Sequence, residues 1–148
     1  MAPRTATPRP DAAGPLLPLF DLASFPLVRL PILAPGVTGY GERWAAEFDA
    51  ILAREERFVL LSVGPMPEGE AHDDRKARTL WLKRRRGDLG RLCLAHLHVE
   101  RDPDRRAMME QGAAKMAGVF PYALGMFDSE DAALGRAWTL LRAVPLTL

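Results

Sequence analysis

The amino-acid sequence predicts an α/β fold, with a single mostly parallel or mixed sheet of four or five strands flanked by helices. Short apolar runs alternate with amphipathic runs along most of the chain, and this alternation implies right-handed crossovers between parallel strands. Two of the apolar runs, FVLLSVG (58–64) and LCLAHLHVE (92–100), are nearly continuous. Such runs are typical of strands that are covered on both faces.

Composition indicates one globular domain that follows an irregular segment. The chain has 148 residues, of which 48% are hydrophobic and 26% are charged, as in an ordinary folded domain. Five of the thirteen prolines lie in the first eighteen residues, so we expect residues 1–15 to be a disordered tail and 16–148 to be the domain. No signal peptide or bilayer-spanning run is visible, and the single cysteine permits no intramolecular disulfide. We therefore expect a cytoplasmic, bacterial protein without membrane contact.

Each element is predicted from its periodicity and from the residues at its ends. Pro26 and Pro31 remove backbone donors, so their segment fits an edge strand or a bulge. Asp102 before Pro103 is a good helix start, because Asp caps backbone donors and proline has none to lose. The expected order is strands at 16–22 and 25–33, a turn at 34–39, a helix at 40–57, a strand at 58–64, a loop at 65–74, a helix at 75–89, a strand at 92–100, a helix at 103–119, a strand at 122–127 and a helix at 130–143.

Two helices carry predicted apolar faces that bear on association and on the core. In the helix 40–57, Tyr40, Trp44 and Phe48 share one face, which is more aromatic area than one sheet face needs. Exposed aromatic patches tend to be interfaces, so this face predicts a homodimer. The helix 103–119 is expected to bury a face made of Met109, Ala113, Met116, Ala117 and Phe120.

The length and element order resemble those of the STAS domain, the fold of anti-sigma-factor antagonists. The similarity covers residues 20–142 and includes the ending YALGMFDSEDAALGRAW, which is similar to the last strand and helix of that group. The resemblance implies a small interaction or ligand-binding module. Regulatory members carry a phosphorylatable Ser or Thr after the strand that corresponds here to 58–64. The segment 64–78 has neither residue and Ser62 lies inside the strand, which argues against a phosphorylation switch.

The histidines form the first candidate site. His96 and His98 occupy alternate positions of one strand, so both point to the same face, near the end where α/β sheets bind ligands. We expect His96 to be a hydrogen-bonded core residue and His98 to be the more exposed. A helix N-terminus beside them favours a small anionic or polar ligand over a metal cation, although three histidines and a carboxylate would also suit zinc or iron. The expected ligand-binding residues are His72, His98, Glu100 and Asp102.

Nucleophilic chemistry has little support, and the sequence assigns no catalytic residue. No G-x-S-x-G, Walker A or G-x-G-x-x-G motif occurs. Cys93 is expected to be inert core on the strand face opposite the histidines. The glycines of GVTGYG (36–41) stand at a helix start, where backbone donors can hold an anion, although a plain turn is the simpler interpretation.

A basic run forms the second candidate site. Seven of the twelve residues in 75–86 are Lys or Arg, on a helix that Gly87 and Gly90 are expected to end. A net charge of +1 and the lack of an aromatic stacking platform argue against nucleic acid as the partner. The alternative to docking is a solvated face whose charges pair with Asp73, Asp74 and Asp88. The expected docking residues for an acidic protein are Arg75, Arg78, Arg84, Arg85 and Arg86.

Together these observations predict a non-catalytic binding or accessory protein without cofactor or bound metal. It would act through a protein partner, a homodimer or a small ligand. The alternative is a small metal-dependent or anion-binding enzyme that uses the histidine-lined edge of the sheet. Its residues would be His72, His96, His98 and Glu100.

Overall fold

Four parallel strands form the sheet in the computed structural model, which describes residues 18–30, 37–65 and 69–143. The predicted α/β fold is confirmed, and each strand pairs in parallel with its neighbour in the chain. The predicted tail, 1–15, lies outside the described residues. The strands are β1 (Leu27–Arg29), β2 (Phe58–Val63), β3 (Cys93–Val99) and β4 (Ala123–Phe127), in the order β1-β2-β3-β4. The helices are α1 (Gly41–Leu52), α2 (His72–Arg84), α3 (Arg86–Leu92), α4 (Pro103–Lys115) and α5 (Glu130–Ala143).

Helices cover both faces of the sheet. Because each parallel strand lies beside the next, right-handed crossovers place α1, α2 and α4 on one face. The last helix, α5, packs on the opposite face, as its contacts with β2, β3 and β4 require. The core on the α1 face is largely aromatic and includes Phe20, Trp44, Phe48, Phe58 and Trp81. The core on the α5 face is aliphatic and includes Val59, Leu61, Ala95, Leu97, Val99, Ala133 and Ala137.

The aromatic face of α1 is buried inside the domain. Trp44 is 7% exposed and Phe48 is 1% exposed. Phe48 stacks on Trp81 with ring centroids 4.5 Å apart, and Phe20 lies 5.0 Å from Phe48. The prediction of a surplus aromatic interface on this helix was therefore wrong, because the sequence did not reveal that two distant aromatic residues cover it.

The predicted helix 75–89 is two helices, so its predicted end was wrong. Helical geometry is interrupted at Arg85, where φ is −104° and ψ is 17°. The chain then continues as α3 through Gly87 and Gly90. Leu89 is fully buried there, and its burial offsets the poor helix propensity of the two glycines.

The buried face predicted for the helix 103–119 was also wrong. No residue of α4 is buried, and the helix ends at Lys115, before the predicted end. Met116 is 40% exposed and Val119 is 52% exposed. The reason is topological: the strand that α4 covers is β4, which lies at the edge of the sheet and offers only a narrow surface.

The N-terminal region contributes one strand to the sheet instead of two. The described part of 16–22 forms only a single antiparallel bridge, between Asp21 and Arg29. The second candidate, 25–33, contributes the three residues of β1, and its last three residues lie outside the described part. Of the two alternatives predicted for this segment, an edge strand or a bulge, the structure shows the edge strand.

Cys93 lies on the same face of the sheet as the histidines, so its predicted position was wrong. Phe58 pairs with Cys93, but the next residue of β2, Val59, pairs with Ala95. The extra residue, Leu94, breaks the alternation of side chains, as a β-bulge does. Cys93 packs in the aromatic core of the α1 face, where burial raises the pKa of its thiol.

Candidate functional site

Three polar side chains form a chain of hydrogen bonds near the carboxyl ends of β2 and β3. The Oγ atom of Ser62 lies 2.8 Å from Nε2 of His96 and 2.6 Å from Nδ1 of His98. Nε2 of His98 lies 2.6 Å from the carbonyl oxygen of Gly64. The strand register produces this arrangement, because Leu60 pairs with His96 and Ser62 pairs with His98.

When both imidazole rings are neutral, only one assignment of donors and acceptors is consistent with all three hydrogen bonds. A carbonyl oxygen only accepts, so Nε2 of His98 donates to Gly64, and Nδ1 of His98 accepts from the Ser62 hydroxyl. That hydroxyl has no second proton, so Ser62 accepts from Nε2 of His96. Nδ1 of His96 therefore carries a lone pair, and no hydrogen bond from the described residues reaches it.

Burial keeps both rings neutral near physiological pH. It lowers the pKa of His96 to about 4, with a further contribution from His98. Burial also lowers the pKa of His98, although the bond to the Gly64 carbonyl opposes this shift. The prediction that His98 is the more exposed was wrong: it is 3% exposed, whereas His96 is only partly buried. Ser62 and Gly64 cover His98, and His96 borders a cavity.

An apolar cavity of about 340 Å³ lies between the histidine face of the sheet and the helices α1, α2 and α4. The rings of Phe120 and Tyr122 stack with their centroids 5.6 Å apart, and the Tyr122 ring lies 6.4 Å from that of His96. Besides Trp44, whose ring is mostly apolar, four lining residues have polar side chains: Arg78, His96, His98 and Tyr122. The apolar walls are formed by Leu30, Trp44, Phe48, Leu60, Leu82, Met109, Phe120, Leu124 and Met126.

Arg78 contributes a charge to the lining of the cavity, and that charge is compensated. Its Nε and Nη2 atoms donate to the carboxylate of Glu70 over 2.7 and 2.6 Å. Its guanidinium lies 5.5 Å from the centre of the Trp44 ring. The Tyr40 hydroxyl donates to the same carboxylate, and the bonds from Arg78, above all, lower the pKa of Glu70. The lining therefore contains an ion pair with little net charge.

At the N-terminus of α4, the chain's own carboxylates accept from the backbone. Asp102 is the helix cap, as predicted, and accepts from N–H of Arg105 over 2.8 Å. Glu100 is 3% exposed and accepts from N–H of Asp102 over 3.0 Å and from Nε of Arg105 over 3.2 Å. These bonds, the backbone one foremost, lower the pKa of Glu100. Glu100 and Asp102 thus occupy donors that an external anion would need.

The glycine-rich turn before α1 also holds an internal carboxylate. The N–H groups of Gly39 and Gly41 each donate to one oxygen of Asp74 over 2.9 Å. Gly41 is required by space, because a Cβ atom on it would lie 2.9 Å from Cβ of Ala77. Backbone donors do hold an anion at this turn, and the anion is Asp74 from α2, which is 4% exposed.

His72 does not line the cavity that His96 and His98 share. It is the first residue of α2 and its side chain is exposed. Within the ranges that the structure describes, no group of three His, Cys, Asp or Glu side chains is arranged to hold a metal ion. The metal site considered from the sequence is therefore not assembled in that part of the chain.

Three of the five arginines predicted for docking are bonded within the domain. Arg78 forms the ion pair described above, Arg85 pairs with carboxylates of α1 and α3, and Arg86 donates to two backbone carbonyls that follow α4. Arg75 and Arg84 are exposed. The basic run is thus partly a structural feature and partly a solvated surface.

Sequence reasoning missed Ser62, Phe120 and Tyr122 as residues of the site. Ser62 is the one hydroxyl in the apolar run of β2, and a parallel register that places it beside His98 would have indicated its role. Phe120 and Tyr122 precede β4 in a segment without regular structure. Hydrophobic periodicity does not predict the direction of side chains in such a segment.

Comparisons with protein-family models, curated proteins and solved structures give no match for this chain. Among the described helices, none has the length and apolar character needed to cross a lipid bilayer. A fold alone does not define a function, and the cavity with its polar atoms is the feature of this chain that bears on function.

Proposed function

We propose that this protein is a non-catalytic accessory protein that binds a small, uncharged aromatic molecule in the cavity beside His96. The observation that carries the proposal is the lone pair on Nδ1 of His96, which no described residue uses. Among the described residues, the one fully buried side-chain polar atom without a hydrogen-bond partner is Nη2 of Arg43, so Nδ1 of His96 keeps accessible surface and is available as an acceptor. A ligand N–H or O–H group can donate to this atom.

The size and lining of the cavity favour a flat apolar body. Its volume of about 340 Å³ is near the lower end of the range for small-molecule sites, which suits one or two fused rings. Trp44 and Phe120 offer aromatic surface, and Met109 and Met126 offer side chains that adapt to irregular shapes.

Of the two kinds of small ligand predicted from the sequence, anionic or polar, the electrostatics favour an uncharged polar one. Glu70 already compensates Arg78, and burial keeps the neutral forms of His96 and His98 through the pKa shifts described above. A bound anion would have to displace Glu70 from Arg78, or it would lose its hydration in the cavity without gaining a full counter-charge. Either change is unfavourable.

The same groups support binding over catalysis. A histidine with a pKa of about 4 is a weak general base at neutral pH, because proton transfer is most effective when the pKa lies near the working pH. Ser62 is 2% exposed, and its hydroxyl proton points to His98. His96 is thus suited to accept a hydrogen bond, and Ser62 to fix its tautomer.

Calorimetry with a matched pair of probes tests this function. We expect 2-naphthol, which has a hydroxyl donor, to bind about fivefold more tightly than 2-methoxynaphthalene, since one hydrogen bond contributes about 1 kcal/mol. His96→Leu should abolish the preference, and His72→Leu, the matched control at an exposed histidine, should keep it. Failure of both probes to bind, or equal binding to the wild-type protein, would contradict the proposal.

A second candidate, docking of an acidic protein, is favoured by a stripe on α2. Lys76, Leu80 and Lys83 are spaced by four and three residues, so they share one side of the helix. All three are exposed, and Leu80 is 51% exposed. An apolar side chain between two cations suits an acidic, partly apolar segment of a protein partner.

A further inference from the structure

The two edges of the sheet differ in their backbone hydrogen bonds. At the outer edge of β1, the chain itself supplies a partner: N–H of Asp21 donates to the carbonyl of Arg29 over 2.8 Å, and N–H of Arg29 donates to the carbonyl of Asp21 over 3.0 Å. At the outer edge of β4, no described residue beyond the sheet forms a backbone bond to Leu124 or Met126. One edge is closed and the other is open.

The direction of the backbone groups along β4 follows from one hydrogen bond. The carbonyl of Phe127 accepts from N–H of Glu100 over 2.9 Å, so Phe127 turns its backbone groups towards β3. Backbone direction alternates along a parallel strand, so Ala123 and Gly125 do the same. Leu124 and Met126 therefore turn their N–H and C=O groups to the open edge.

This open edge lacks the features that normally protect one. The strand Ala123–Phe127 contains no charged residue and no proline, whereas exposed edges usually carry charges, proline or a covering loop that prevents pairing. Beside it lies a groove of about 450 Å³ whose lining is mostly apolar and includes Ala113, Met116, Leu124 and Met126, with Glu110 as its charged residue. An uncharged strand edge next to a mostly apolar groove favours pairing with another strand.

We propose that a second copy of this chain covers the edge, with the two β4 strands antiparallel and Gly125 on the twofold axis. In this register Leu124 lies opposite the partner's Met126, and each exchanges an N–H and a C=O bond with the other. The facing pair at the axis is Gly125 with the partner's Gly125, which has no side chain to hinder the close approach of a non-hydrogen-bonded pair.

The open edge is complementary to itself, which is why a second copy is the occupant. The two residues with outward backbone groups are related by the twofold axis, so no donor or acceptor of the pair is left over, and the paired strands themselves carry no charged side chain. The two sheets would join into one, and the apolar grooves beside the axis would lie next to each other. This surface is distinct from the aromatic face of α1, and the proposal does not depend on ligand binding in the cavity.

Sedimentation equilibrium combined with residue-resolved amide exchange tests the proposal. We expect a dimer at micromolar concentration, in which the amides of Leu124 and Met126 are protected and lose that protection on dilution. The amides of Gly125 and Phe127, which bond to β3, should stay protected in both states. A monomer throughout the concentration range, or a dimer whose Leu124 and Met126 amides exchange as fast as exposed ones, would overturn it.

A pair of variants separates the backbone bond from the side chain. Met126→Pro removes the outward N–H and no bond to β3, a position at which edge strands tolerate proline. Met126→Ala removes the side chain and keeps the N–H. We expect the proline variant to weaken the dimer at least about tenfold more than the alanine variant. Equal dimerisation of two variants that both fold, as shown by circular dichroism, would contradict the proposal. Should the proline variant not fold, the exchange pattern of the wild-type protein decides.

Discussion

On the α5 face of the sheet, β2 and β3 present only apolar side chains, and these pack against α5, where Ala133 and Ala137 are fully buried. On the α1 face, the same two strands present Leu60 and Ser62, and His96 and His98, beneath helices that leave a cavity. Successive side chains of a strand point to opposite faces of the sheet, so the same two strands contribute residues to both faces. The α5-face residues are Val59, Leu61, Ala95, Leu97 and Val99, against Ala133 and Ala137.

Under the proposed function, one face of the sheet serves stability and the other serves binding. The α5 face is closed by small alanine side chains that let the helix approach the sheet, and it stabilises the fold by apolar burial. The α1 face has a packed aromatic half around Trp81 and an open half around His96. Substitutions on the first face should therefore change stability alone, and those at the open half should change binding first.

The largest expected effect comes from the α5 face. Leu97→Ala should lower the free energy of unfolding by about 3 kcal/mol, because it removes buried methyl groups and leaves a void. Urea denaturation measures this change. The variant should still prefer 2-naphthol over 2-methoxynaphthalene below its unfolding transition. Loss of that preference in a folded variant would show that the two faces are not independent.

Ser62→Ala should have the next largest effect on stability, since it leaves the donor on His96 and the acceptor on His98 without a partner. We expect a loss of about 2 kcal/mol in urea denaturation. Thr139→Ala is the matched control, because that exposed hydroxyl donates to the Gly135 carbonyl within α5, and its removal should change stability by less than about 0.5 kcal/mol. Equal losses in the two variants would contradict the hydrogen-bond chain.

The pH dependence of stability should reveal the buried imidazoles. The pKa of His96 is about 4 in the folded protein and 6.5 for an ordinary histidine, so the unfolded chain binds a proton that the folded one does not. The contribution is complete above pH 6.5 and is lost as the pH falls towards 4, by up to about 1 kcal/mol per pH unit. His96→Leu should flatten this dependence between pH 6.5 and 5, and His72→Leu should not. An unchanged slope in His96→Leu would refute the neutral buried ring.

The smallest effect on stability is expected on the solvated side of α2. Exchanging Lys76 and Lys83 for Glu should change the free energy of unfolding by less than about 0.5 kcal/mol, because exposed charges contribute little. The same variant should lose binding to poly-L-glutamate at low salt. The matched variant with Arg75 and Arg84 exchanged for Glu should retain more of that binding, since it keeps the lysines on either side of Leu80. The reverse order would remove the support for docking on this stripe.

The elements that depend on local pattern were predictable from sequence. The strand β2, the cap at Asp102 and the bounds of α5 follow from apolar runs, capping chemistry and helical periodicity. The α/β fold with its mostly parallel sheet followed from their order. Where an element depends on a distant partner, pattern reasoning was wrong: the aromatic face of α1 is covered by Phe20 and Trp81, and α4 lies at an edge that has nothing beyond it in the sheet.

The site was predictable only in part, for the same reason. His98 and Glu100 were noticed for their residue types, yet their surroundings came from the register of β2 on β3 and from backbone donors at the start of α4. The bulge at Leu94, which moved Cys93 to the histidine face, leaves no mark in the alternation of a wholly apolar run. Likewise, the donors of the glycine turn are used by Asp74, a residue 33 positions away from Gly41.

The nitrogen chemical shifts of His96 decide whether its Nδ1 is free to accept a hydrogen bond, because they report which ring nitrogen carries the proton. In long-range ¹H–¹⁵N correlation spectra near neutral pH, we expect a protonated Nε2 and a bare Nδ1. The Nδ1 signal should shift upfield when 2-naphthol is added and stay in place with 2-methoxynaphthalene. A proton on Nδ1, or a bare Nδ1 whose signal neither probe moves, would contradict the claim that His96 offers its lone pair to a ligand.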